Sequence, residues 1–321
     1  MTQTRPNVRL VVTAAETDPT AGQVRRLTLA ASDGGPLPSF RPGSHIGLHW
    51  RQDGRDQVNS YSLTGEAGSP AAYTLSVLRV PGGSGGSAWA HGLRPGDEVT
   101  AVPPRSGFAP AATARRHLLV AGGIGVTPLL SHARWHARHG ADYAFYYAWR
   151  PGRAPHLDDL RDLCGERLHA YAARGSLWAD LGPALARQPL GTHLYVCGPL
   201  PMIDAVTAAA RALHWPGSRV HVEAFGVADE GPRAAFRVVL SRSERALHVP
   251  PEHTLLQALE LAGLPVGSMC RQGVCGECRL PVARGGIDHR DLYLSPEEKA
   301  SGQWIMPCVS RAVGEQLELR L

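Results

Sequence analysis

Six cysteines occur in the 321 residues, and four of them are spaced to hold metal. Cys270-Arg271-Gln272-Gly273-Val274-Cys275-Gly276-Glu277-Cys278 leaves four residues between the first two cysteines and two between the next two. Cys308 follows in Met306-Pro307-Cys308-Val309. The pattern C-x4-C-x2-C…C is the plant-type ligand spacing for a [2Fe–2S] cluster. Thiolate sulfur is soft and suits iron–sulfur chemistry. Gly273 and Gly276 tolerate positive φ, which lets such a loop curl with its amides turned inward. Structural zinc is the competing reading, but it usually shows two matched Cys or His pairs, and only one C-x2-C is present. A Rieske centre needs histidine in place of two cysteines, and four cysteines are available here. A cluster moves single electrons, so the chain is expected to contain an electron source.

Two glycine turns are candidates for that source. Gly122-Gly123-Ile124-Gly125-Val126-Thr127-Pro128 follows the apolar run 117–121, and Cys197-Gly198-Pro199 ends the run 192–197. A GGxG turn alone is weak and is not the G-x-G-x-x-G fingerprint. The two turns together are more informative. Between and around them, apolar strand-like runs alternate with helical segments, which implies a parallel doubly wound α/β sheet. Ligands of such sheets bind at the carboxyl ends of the strands. No Ser/His/Asp or paired-carboxylate constellation is evident. Cys164 reads as a small buried hydrophobe.

The remaining segments position these groups. Residues 7–108 form many short strand-like runs separated by Gly and Pro turns, which predicts an antiparallel β-barrel. Residues 227–232 read as a linker. After them come a hairpin over 236–249, a helix over 254–262 with Thr254 as its N-cap and Gly263 at its C-terminal end, and then the cysteine loop.

Composition excludes several classes. The chain is 43% hydrophobic and 19% charged, ordinary for a globular protein. Its net charge of +5 comes almost wholly from arginine, with Lys299 the one lysine. No dense basic block interleaved with aromatics appears, so no nucleic-acid partner is expected. No apolar run reaches membrane-spanning length, so no membrane association is expected. The N-terminus lacks an apolar signal core. Thiols needed for cluster assembly fit a cytoplasmic location.

In this order the segments resemble the phthalate dioxygenase reductase branch of the ferredoxin-reductase superfamily, over nearly the whole chain. The resemblance rests on Tyr61-Ser62 in the first region, on GGIGVTP and CGPLPM in the second, and on the cysteine pattern in the third. It implies a flavin-binding β-barrel at 1–109, an NAD(P)-binding α/β domain at 110–228 and a β-grasp ferredoxin at 229–321. Tyr61 is then expected against the flavin ring and Ser62 bonded to it. Asn59 stands where the family has a phosphate-gripping arginine, so phosphate binding is expected to shift to Arg79, Gly85, Gly86 and Ser87. Gly122, Gly123 and Gly125 are expected to face the dinucleotide pyrophosphate. Thr127, Cys197 and Gly198 are expected to border the nicotinamide, and Phe225 to cover the flavin. Cys270, Cys275, Cys278 and Cys308 are the expected cluster ligands.

The resemblance also implies FMN, because the ferredoxin segment is C-terminal, and NADH as donor. Against NADH, Trp149-Arg150-Pro151-Gly152-Arg153 holds no acid for a ribose 2′-hydroxyl. The implied partner is a terminal oxygenase of Rieske type, with the reductase itself monomeric. The electron exit is expected around Arg271, Gln272, Val274 and Glu277. A P450 system, or direct reduction of quinone or ferric ion, would use the same path with a different acceptor. A carrier or sensor would leave the two glycine turns unused.

Overall fold

The computed structural model describes residues 7–52, 54–83, 85–226, 233–264, 266–268 and 271–321. The expected linker at 227–232 and Cys270 lie outside these. The chain falls into two compact units, Met1–Glu223 and Ala224–Leu321.

Alternating inward and outward side chains build the first sheet of the larger unit. Its strands are β1 (Val8–Asp18), β2 (Ala21–Ala31), β3 (His45–Gln52), β4 (Arg55–Ser62), β5 (Tyr73–Leu78) and, after helix α1 (Gly86–Gly92), β6 (Glu98–Arg105). They pair antiparallel in the order β4-β3-β6-β1-β2-β5. A bridge from Leu63 to Leu75 joins the two edges, and Thr64 N–H donates to the Thr74 carbonyl at 2.9 Å. The sheet therefore closes on itself, as the short-strand pattern predicts, around Leu10, Leu27, Leu29, Ile46, Leu48 and Leu75.

The second sheet is parallel. Its strands are β7 (Arg116–Gly122), β8 (Tyr143–Ala148), β9 (Leu168–Tyr171), β10 (Thr192–Cys197) and β11 (Val220–Glu223), in the order β11-β10-β7-β8-β9. Helices α2 (Val126–Arg138), α3 (Leu157–Cys164), α4 (Arg174–Ala186) and α5 (Leu200–Ala212) make the crossovers. β8 is buried at every position, as a strand covered on both faces must be. The strand order reverses between β7 and β10. Both glycine turns leave the sheet there.

The smaller unit has β12 (Phe236–Leu240), β13 (Arg245–Val249), α6 (Leu255–Leu261), β14 (Leu280–Asp288), α7 (Pro296–Ser301), β15 (Trp304–Ile305) and β16 (Arg311–Leu319). The order is β13-β12-β16-β14-β15, with β12 and β16 parallel. Thr254 caps α6, as expected, and the structure adds a reciprocal box with Gln257. Among the described residues, no helix is long and apolar enough to cross a membrane.

The parallel sheet and α2 enclose a histidine cluster that the sequence does not announce. His117 stacks on His136 with ring centroids 3.9 Å apart. His132 Nε2 donates to the Phe108 carbonyl at 2.7 Å. The His193 and His221 rings meet at 2.9 Å between Nδ1 and Nε2. Burial favours the neutral ring and pushes His117 to about 4, His132 to about 3 and His136 to about 2, with neighbouring imidazoles adding to the effect. Asp142 opposes the shift at His117, and Arg219 adds to it at His193.

The sign follows from proton linkage. An unfolded imidazole titrates near 6.5, above each folded value, so below that pH the unfolded chain binds more protons. The histidine contribution to the stability of this unit should be flat above about pH 7 and fall below about 6.5, by up to about 1.4 kcal/mol per pH unit for each such histidine. Thermal melts from pH 8 to 5 check this. His136→Phe should flatten the acid limb, and an unchanged limb would show that the ring titrates normally.

Candidate functional site

The two glycine turns meet backbone to backbone. A Cβ at Gly125 would overlap the Cys197 carbonyl and come 2.6 Å from Gly198 N. A Cβ at Gly122 would sit 2.8 Å from Met202 Sδ and 2.8 Å from Pro199 Cδ. Gly123 has φ +53 and open space above it. Met202 and Pro199 cover Gly122 and Cys197 backs Gly125, so the open glycine surface at the carboxyl ends of β7 and β10, where the strand order reverses, is at Gly123. Such a surface lets a dinucleotide approach the backbone amides at the start of α2.

Thr127 is buried, and its hydroxyl donates to the Ile124 carbonyl at 2.9 Å. Its oxygen lone pairs remain available to accept. Cys197 is fully buried, and burial, aided by the Glu223 carboxylate, pushes its thiol well above the usual range. It is a neutral S–H rather than a nucleophile. Glu223 lies opposite Cys197 in the β10–β11 register. Its Oε2 is buried without a hydrogen-bond partner, and burial pushes the carboxyl up to about 8. Sequence reasoning missed Glu223, because only strand pairing brings it beside Cys197.

On the closed sheet, Tyr61 is half-buried, and its hydroxyl donates to the Gly86 carbonyl at 3.2 Å. Ser62 beside it is buried. Asn59 Oδ1 accepts the Trp50 indole N–H at 2.6 Å and lies against Gly86, where any Cβ would strike it. Gly85, at φ +98, would bring a Cβ within 2.8 Å of Trp50. The Asn59 amide nitrogen is the end left to donate. Ser87 Oγ accepts Val80 N–H at 3.1 Å, closing the loop that follows the exposed Arg79. The structure therefore brings Asn59, Tyr61, Gly85 and Gly86 together. Trp50, the residue that fixes Asn59, carries no motif signal.

In the smaller unit, Phe225 is 40% exposed. Cys278 and Cys308 are buried with their sulfurs 3.3 Å apart, and Cys275 is part-exposed beside them. Among the described residues no three such donors surround a single metal position, but the Cys278–Cys308 pair, with Cys275 close enough to affect the Cys278 thiol, is the soft donor type an iron–sulfur cluster takes. The hydroxyl end of the Tyr293 ring packs against Gly276, so a Cβ there would collide with its Cζ and Cε atoms. Leu292 N–H donates to the Gly273 carbonyl at 3.0 Å. Arg271 adopts φ +54, and its guanidinium forks onto Glu260 at 2.7 and 3.1 Å. His289 Nδ1 approaches the Asp291 carboxylate at 3.5 Å, and both its ring nitrogens are without hydrogen bonds.

Comparison with known proteins adds a family to this geometry. Residues 97–220 match the family described as dimethylamine monooxygenase subunit DmmA-like, N-terminal domain, and residues 238–313 match the 2Fe-2S iron-sulfur cluster binding domain. The chain is similar to a heme-dependent oxidative N-demethylase beta subunit of Ectopseudomonas mendocina, at 40% identity over 89% of this chain and 90% of that protein. It is similar to a carnitine monooxygenase reductase subunit of Escherichia coli, at 37% identity over 97% and 98%. The crystal structure of phthalate dioxygenase reductase superposes with a TM-score of 0.82, 31% identity and 98% coverage of both chains.

Two substitutions test the glycine contacts. Gly125→Ala should destabilise the larger unit by about 2 kcal/mol or more, because backbone on both sides cannot yield. Gly276→Ala should leave the fold but lose at least about half of the bound iron, since it combines a positive φ with the Tyr293 ring. The double variant Gly276→Ala/Tyr293→Ala should regain part of that iron. Iron analysis and melting curves read both.

Proposed function

The chain belongs to the phthalate dioxygenase reductase-like family of reductase subunits of oxygenase and demethylase systems, and from that premise we propose that it moves hydride from NADH to FMN and then single electrons through a [2Fe–2S] cluster to its oxygenase component. The observation that carries this reading is the joining of two geometries in one chain. One is the close packing of the two glycine turns at the strand-order reversal with Gly123 left open, and the other is the buried Cys278–Cys308 pair with Cys275 near it in the C-x4-C-x2-C…C pattern.

Flavin, when bound, supplies the chemistry that splits a two-electron donor into one-electron steps. The protein's task is placement. In this reading Tyr61 packs on the flavin ring, Ser62 hydrogen-bonds it and Phe225 covers it. Asn59, Arg79, Gly85, Gly86 and Ser87 hold the phosphate end. Gly122, Gly123 and Gly125 face the pyrophosphate. Thr127 accepts a carboxamide N–H of the nicotinamide, since its own proton is committed to Ile124. Cys197 and Gly198 wall the hydride path. A neutral thiol there excludes water without competing for the hydride. Cys270 joins the three described cysteines as the fourth ligand. The domains are read as 1–109, 110–228 and 229–321, and the protein as a cytoplasmic monomer.

The acceptor is read as a Rieske-type oxygenase, docking near Gln272, Val274 and Glu277. A second reading, a haem acceptor, is favoured by the relative whose name specifies a heme-dependent N-demethylase. Arg271 belongs less to this surface than its position implies, because Glu260 holds its guanidinium.

Cys275→Ser should abolish the cluster's visible absorbance and electron delivery to the acceptor while NADH still bleaches the flavin. Retention of two irons with an intact spectrum in that variant would refute the ligand assignment. Mass spectrometry of the released flavin should give FMN, and FAD as the main species would overturn that choice. For the nicotinamide, kcat/KM should favour NADH by about tenfold. Arg150 and Arg153 are exposed and bridge each other through their backbones, so they are the residues to blame if NADPH wins.

A further inference from the structure

The larger unit contains a buried polar network that none of the site motifs uses. Asp18, at the end of β1, is 1% exposed. Its Oδ2 accepts Arg26 Nε at 2.7 Å and the His156 backbone N–H at 3.1 Å. Its Oδ1 accepts the Thr20 backbone N–H at 2.9 Å. The Thr20 hydroxyl lies within reach of both that oxygen, at 2.9 Å, and the Ala154 carbonyl, at 2.6 Å. Arg26 continues to Asp159 at 2.9 Å. His156 Nδ1 donates to the same Asp159 carboxylate at 2.6 Å, and its Nε2 meets Ser76 Oγ at 2.8 Å. Burial works against ionised Asp18, but hydrogen bonds from Arg26 and Thr20 outweigh it and hold the carboxyl below its usual value. Asp159 is held near 2, chiefly by the His156 bond.

Three features separate this network from ordinary packing. It joins the closed sheet and its β1–β2 turn (Asp18, Thr20, Arg26 and Ser76) to the segment leading into α3 and the first turn of that helix (Ala154, His156 and Asp159). His156 adopts φ +61, a left-handed conformation that a non-glycine residue keeps only when its surroundings hold it. The neighbouring Pro155 carbonyl accepts the Tyr147 hydroxyl at 2.9 Å, and that hydroxyl lies 3.3 Å from the Gly123 carbonyl. The network therefore runs from β5, three residues before Arg79, to the first glycine turn. Buried ion pairs are poor contributors to stability and better at selecting one arrangement.

We propose that Asp18, Arg26, His156 and Asp159 form a latch that fixes the nucleotide-binding turn relative to the flavin-side strands and so sets the hydride-transfer geometry. The latch residues are positioning residues that touch neither ligand, and the proposal rests on the hydride-transfer reading above. A misplacement of reacting atoms by about 1 Å costs about a hundredfold in rate, so small shifts are measurable.

The test is anaerobic stopped-flow reduction of the flavin in the full-length holoprotein, with NADH and with NADH deuterated at C4. Asp18→Asn and His156→Ala should each lower the limiting reduction rate about tenfold or more. Half-saturating NADH should change less than about threefold, with the deuterium effect fully expressed and flavin and cluster absorbance unchanged. His156→Asn, which tolerates the left-handed backbone and can still hydrogen-bond, should recover most of the rate. Ser76→Ala should show a smaller loss in the same direction, which covers the case in which Asp18→Asn does not fold. An unchanged limiting rate with only a lowered melting temperature would overturn the proposal, as would a loss confined to half-saturation. A second arm uses amide hydrogen exchange. Exchange at residues 123–127 should accelerate about tenfold in His156→Ala while β10 stays protected, and equal acceleration of both would overturn the latch. If neither NADH nor NADPH reduces the wild-type flavin, the hydride-transfer reading fails, and the exchange arm still decides the latch.

Discussion

The architecture of the larger unit depends on one close approach, the Gly125 backbone against the Cys197–Gly198 peptide. No side chain fits between them. The contact forces both turns to be made of glycine on the facing sides, and it occurs where the parallel sheet reverses its strand order. The carboxyl ends of β7 and β10 are thereby brought together, with helix α2 starting beside them, at the place where ligands of such sheets bind. The surrounding residues are consequences. Met202 and Pro199 fill the space over Gly122, and Thr127 spends its proton on closing the turn.

Burial decides which groups near this junction carry charge. Cys197, Glu223 and the histidines of α2 and the sheet all lose water, and each shifts toward its neutral form. The interior thus offers no charged acid or base to the space above the turns. That suits hydride transfer, in which the hydrogen nucleus travels with its electron pair and no side-chain acid or base has to move a separate proton. The latch is the opposite case. Its carboxylates, buried at Asp18 and part-buried at Asp159, stay ionised because Arg26 and several N–H groups compensate them. Charge is confined to where geometry is being specified, and excluded from where a ligand is to be held.

Much of this was legible in the sequence because the motifs are local. The C-x4-C-x2-C spacing, the two glycine turns and the N-cap at Thr254 each lie within a few residues. Strand β9 and helix α4 were not anticipated. β9 is four residues long, and α4 has no side-chain cap and a proline inside it. Contacts that shape the sites were hidden for a different reason. Trp50 reaches Asn59 across a β3–β4 pairing, Glu223 reaches Cys197 across β10–β11, and Tyr293 covers Gly276 from a separate segment. None of these pairs has a fixed spacing, so only the assembled fold reveals them.

The cysteine loop shows how such a contact changes the reading of a residue. Arg271 flanks the first ligand position, and in sequence it looks like a docking charge. In the fold its positive φ and its fork onto Glu260 make it a brace between the loop and α6. Reversing its charge would leave a glutamate facing Glu260 and strain the loop, so slower electron delivery in that variant would report damage as readily as docking. Nearby arginines are committed in the same way, Arg279 to Glu298 and Arg290 to Asp288. Paired charges project little field beyond a Debye length. With the oxygenase docked at this face as proposed, recognition would depend on shape and on the exposed Leu292 and Tyr293 more than on steering, and electron delivery would vary little with salt.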